Sequence, residues 1–73
     1  MFVYPSNDTS RAVNLDQVAI IRRSEAGNYI DFLDTNEEDI TCWNYSTGDE
    51  RNKAYIRLLE KINAIKINPN EVL

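Results

Sequence analysis

The sequence has no histidine, one cysteine, two glycines and two prolines among its 73 residues. Without histidine the chain lacks the commonest general base and the commonest zinc ligand. Cys42 has no second cysteine to pair with and no imidazole to turn it into a reactive thiolate. Gly27 and Gly48 are too few for a glycine-rich phosphate loop. No uninterrupted apolar run exceeds four residues, as in Val18-Ala19-Ile20-Ile21, far short of the roughly 20 that a membrane-spanning helix needs. The segment Met1-Phe2-Val3-Tyr4-Pro5 has neither a basic leader nor the apolar core of a secretory signal. These absences predict a non-catalytic protein with no metal, no cofactor and no membrane segment. An unpaired thiol favours a reducing, cytoplasmic setting.

What is present is ordinary for a packed domain: 42% hydrophobic and 27% charged residues, which fits neither disorder nor a coiled coil. At 8.5 kDa the chain can bury roughly 60% of its unfolded surface, enough for one core. Residues 1–73 are therefore read as a single domain. A core of this size supplies only about 3–5 kcal/mol, so self-association, most simply as a homodimer, is an expected supplement.

Twelve acidic residues against eight basic ones give a net charge of −4, which disfavours nucleic acid as a partner because phosphate contacts dominate such affinity. The charge is uneven along the chain. Residues 1–47 hold eight carboxylates against three arginines, whereas residues 48–73 hold five cations against four carboxylates.

Along the chain, Phe2 to Tyr4 reads as an edge strand or a loosely held arm, and the polar turn formers at 6–11 follow Pro5. Residues 12–45 read as an antiparallel β-meander. Val13 and Leu15 alternate with polar neighbours, Asp16-Gln17 marks a bulge or turn, and Val18 to Ile21 is rich in β-branched residues. Gly27-Asn28 suits positive φ at a hairpin. Tyr29 to Leu33 forms the next strand, with Ile30 and Phe32 on one face and Tyr29, Asp31 and Leu33 on the other. Ile40 to Tyr45 forms the last, in which Ile40 and Cys42 alternate with Thr41, Trp43 and Tyr45. Thr47-Gly48-Asp49-Glu50 matches the capping box, and Ala54, Tyr55, Leu58, Leu59, Ile62 and Ile65 recur at helical spacing. The helix is expected over 47–65 and a tail over 66–73. The fold class is thus α+β: a three- to four-stranded meander with one carboxy-terminal amphipathic helix packed on one face.

Four features carry candidate chemistry. Cys42, alternating with Ile40, reads as a small buried core residue. The carboxylates Asp31, Asp34, Glu37, Glu38 and Asp39 fail the calcium-loop pattern, because the sixth residue from Asp34 is Asp39 and the twelfth is Tyr45. They read as a solvated loop or as an acidic recognition surface. Lys53, Arg57 and Lys61 recur every four residues as a basic line on the helix, either a solubilising face or a docking face for an acidic partner. Trp43, Tyr45, Tyr29 and Phe32 form an aromatic group bordered by Arg22 and Arg23; those outside the core are candidates for a partner interface.

No motif is specific enough to transfer an activity. The reading that follows is a small non-catalytic interaction or regulatory module, binding a protein partner or a second copy of itself. An acidic inhibitor or nucleic-acid mimic of phage type, occupying a basic groove, is the alternative. A single-strand nucleic-acid binder using Trp43, Tyr45, Arg22 and Arg23 is the third.

Overall fold

The computed structural model describes residues 1–68. It is an α+β fold in which two antiparallel sheets precede one helix: β1 (Phe2–Val3), β2 (Val13–Asn14), a 3-10 turn (Leu15–Gln17), β3 (Ile20–Arg23), β4 (Tyr29–Leu33), β5 (Asp39–Asn44) and α1 (Gly48–Lys61). The strands β3-β4-β5 form the meander. The expected edge strand exists, but Phe2 and Val3 pair with Asn14 and Val13 as a separate two-stranded ribbon. The 12–45 meander is corrected accordingly: Val13–Asn14 leaves it, because the 3-10 turn at Leu15–Gln17 redirects the chain before β3.

The core is Val13, Ile30, Phe32, Trp43 and Leu58, with Val3, Leu15, Val18, Ile21, Tyr45, Ala54, Tyr55 and Ile62 packed against it. Pairing register explains which strand face is inward. Ile30 lies opposite Trp43 and Arg23, and Phe32 lies opposite Thr41 and Ile21, and directly opposed residues share a face. Trp43 therefore joins Ile30 and Phe32 beneath the helix, its ring 4.6 Å from that of Phe32 in a tilted arrangement. Cys42 sits opposite Asp31 on the other face and is only half-buried, which corrects its reading as a core residue. Ile40 is exposed. It is the extra residue where the register shifts between Phe32 and Leu33, a bulge that takes it out of the ladder.

The threonine half of the capping box forms, with Thr47 Oγ1 accepting from the Glu50 amide at 3.1 Å. The helix ends at Lys61, four residues before the expected 65. Asn63 adopts φ 60°, its amide donates to Glu60 and the Ala64 amide donates to Leu59, the two bonds of a Schellman motif. Ile65, counted in the helical stripe, is 82% exposed beyond this stop. Of the expected tail 66–73, residues 69–73 lie outside the described residues. The hairpin at Gly27-Asn28 also departs from expectation, since neither residue has positive φ. The Tyr29 ring packs over Gly27, where a Cβ would lie 2.7 Å from its Cζ and displace the end of that side chain.

Candidate functional site

The helix is tied to the sheet by polar contacts that sequence reasoning did not single out. Arg51, half-buried in the first turns of α1, donates from Nη1 to the carbonyls of Ser24 (2.7 Å) and Gly27 (3.1 Å) and from Nε to Asn52 (2.9 Å). One turn on, the Tyr55 hydroxyl donates to the Ile21 carbonyl at 3.2 Å. Arg23 lies 5.4 Å over the Tyr55 ring, a cation–π distance, and also donates to Asn52. These contacts hold the β3–β4 hairpin turn against the amino-terminal half of the helix and leave the other half to a different neighbour.

That neighbour is the amino-terminal arm. The indole of Trp43 donates to the Arg11 carbonyl at 2.8 Å, the Leu15 amide donates to Met1, and Asn7 donates to the Asn44 carbonyl. Held in this way, the arm runs beside β5 and the helix, with Val3 packed against the core and Pro5 buried. A groove of about 330 Å³ opens between the three segments, walled by Phe2, Val3, Tyr4 and Pro5 of the arm, Trp43 and Tyr45 of the sheet, and Ala54 and Leu58 of the helix. Phe2 and Tyr4 are 69% and 61% exposed at its edge. Arg57 and Lys61 lie along the helical rim, and neither makes an ion pair with another described residue. Burial raises the pKa of the Tyr45 hydroxyl above its ordinary value, as expected for a phenol against an apolar wall.

The candidate residues named from the sequence are thus distributed over several surfaces. Trp43 is 4% exposed; of the aromatic group it belongs to the core, and it meets the groove only as part of its floor. Tyr45 lines the same groove, whereas Tyr29 lies on the opposite face of the sheet against Gly27. Arg22 also faces that side, 3.5 Å from Asp31 and directly across the strand pair, while Arg23 turns to Tyr55. The basic line divides likewise. Lys53 pairs with Asp49 at 3.1 Å, and only Arg57 and Lys61 reach the groove.

The five carboxylates are also not equivalent. Asp31 is engaged by Arg22, and Asp34 accepts from the amides of Asn36 (2.8 Å) and Glu38 (3.1 Å), shaping its own turn. Glu37, Glu38 and Asp39 remain exposed. Among the described residues no cluster of three or more His, Cys, Asp or Glu side chains could hold a metal ion, and no helix is long and apolar enough to cross a membrane.

The groove as a site is not apparent in the sequence, although one signal is visible there: the apolar segment Met1-Phe2-Val3-Tyr4-Pro5, with two aromatic side chains, precedes the polar stretch 6–11. Comparison with protein-family models, with curated proteins and with solved structures finds no match for this chain.

Proposed function

We propose that the protein is a small non-catalytic interaction module whose partner seats in the groove between the amino-terminal arm and α1. The observation that carries this reading is the groove itself. Three segments distant in sequence converge there on apolar walls, yet Phe2 and Tyr4 keep most of their surface in water. Leaving two aromatic side chains exposed beside an apolar cleft costs hydrophobic stabilisation, which a partner covering them would recover. Aromatic anchors of this kind dominate binding energy at protein interfaces.

A photo-crosslinking amino acid in place of Tyr4, compared with one in place of Glu25 on the hairpin turn, tests the reading in cells of the native source. The expected result is a discrete crosslinked protein from position 4 alone, lost when Phe2→Asp is added. Equal labelling from both positions, or none from either, overturns it.

A further inference from the structure

We infer that the occupant of the groove is an acidic, apolar-anchored segment of another protein, with leucine-like side chains against Trp43 and Leu58 and carboxylates on Arg57 and Lys61. The inference rests on the groove being the partner's seat and adds the chemistry of the partner.

Charge complementarity carries it. The groove is apolar along its floor, and the two side chains on its helical rim are both cationic and both without an ion-pair partner among the described residues. Lys53, one turn earlier on the same face, pairs with Asp49 at 3.1 Å, so the cations of the basic line that have no ion-pair partner among the described residues are the two that border the groove. A carboxylate brought to this rim gains attraction, and a lysine or arginine meets repulsion. The same charges argue against a second copy seated groove to groove. A two-fold contact there would bring Arg57 and Lys61 of both copies together, four cations at one interface, whereas isologous contacts require each patch to complement itself.

The test uses three blocked octapeptides of alternating leucine with glutamate, with glutamine or with lysine. Trp43 is the only tryptophan in the sequence and lines the groove, so its fluorescence reports binding directly. The leucine–glutamate peptide is expected to bind about three- to tenfold more tightly than the leucine–glutamine peptide, the gain of two exposed ion pairs. The leucine–lysine peptide is expected to bind most weakly. The double variant Arg57→Gln, Lys61→Gln should lose this ranking, and Arg57→Glu, Lys61→Glu should reverse it. All four substitutions are on exposed positions, and an unchanged far-ultraviolet circular dichroism spectrum verifies the fold.

Equal affinity for the three peptides would overturn the acidic partner while leaving the groove as a seat. Failure of all three to bind would overturn the inference, and the crosslink from position 4 would then decide whether the seat survives. Sedimentation showing a dimer that Phe2→Asp dissociates would place a second copy in the groove and overturn it as well.

Discussion

The indole N–H of Trp43 donates to the main-chain carbonyl of Arg11, 32 residues away, at 2.8 Å. This bond joins the end of the amino-terminal segment to the last strand of the meander. The same indole packs on Phe32 and closes the groove floor. One side chain therefore serves the core and the placement of the arm.

Replacing Trp43 by phenylalanine removes the donor and part of the volume. The expected cost is about 2 kcal/mol, from a lost hydrogen bond and a partial cavity, a large share of the few kcal/mol a core this size supplies. Urea unfolding should show a lower midpoint, and the amides of Val13 and Asn14 should exchange faster than those of β4. Unchanged exchange in the β1–β2 ribbon would refute the tethering role.

Arg51 donates from Nη1 to two carbonyls of the hairpin turn and from Nε to Asn52, donors spread over two nitrogens that the planar guanidinium supplies and a single ammonium nitrogen does not. Arg51→Met, which keeps the apolar stem, should cost about 2 kcal/mol, as for hydrogen bonds to a charged group. Arg51→Lys should recover less than half of that loss. Hydrogen exchange localises the effect: residues 24–28 should lose protection first. A uniform loss over all strands would argue that Arg51 acts only through general packing.

Glu37 has φ 61°, in the left-handed region that is strained for a residue with a Cβ. Glu37→Gly is expected to stabilise the fold by roughly 0.5–1 kcal/mol, the strain relieved exceeding the added freedom of the unfolded chain. Glu37→Gln removes the charge and keeps the Cβ. Thermal melts of the two variants separate the causes, since a gain shared equally by both would come from relief of acidic repulsion.

Two groups mark the ends of the pH range. Burial raises the pKa of Tyr45 above the ordinary value of 10.0. Its contribution to stability is therefore complete below pH 10 and is lost as pH rises through the raised value, because the unfolded state gives up the proton first. Asp8 behaves oppositely. Hydrogen bonds from the Ser10 side chain and amide hold its carboxyl below the ordinary 3.8, so its contribution is present above that value and disappears as pH falls through the lowered one. In paired unfolding measurements Tyr45→Phe should flatten the alkaline limb, and Ser10→Ala should flatten the acid limb. If both variants follow the parent curve, neither group is linked to folding.

Local features are legible in the order of residues alone. The Thr47 cap, the stripe of Ala54, Tyr55, Leu58 and Ile62, and the shared face of Ile30 and Phe32 follow from periodicity, because each depends on neighbours within a turn or two of chain. The fold class follows from their order. The end of the helix is less legible, since Ile65 keeps the helical spacing while Asn63 stops the helix through a backbone conformation that asparagine only favours.

By itself the sequence determined that this chain forms a small α+β unit with one capped amphipathic helix and no histidine chemistry. Only the tertiary structure decided which face of β5 is inward, because alternation defines two faces and the register of Trp43 against Ile30 chooses between them. It alone showed that β1 and β2 stand apart from the meander and that a groove lies between residues 2–5, 43–45 and 54–61. The physical reason is range. Hydrogen-bonding propensity and periodicity act between near neighbours in the chain, whereas a cleft is made by side chains that meet only after the long-range contacts have closed.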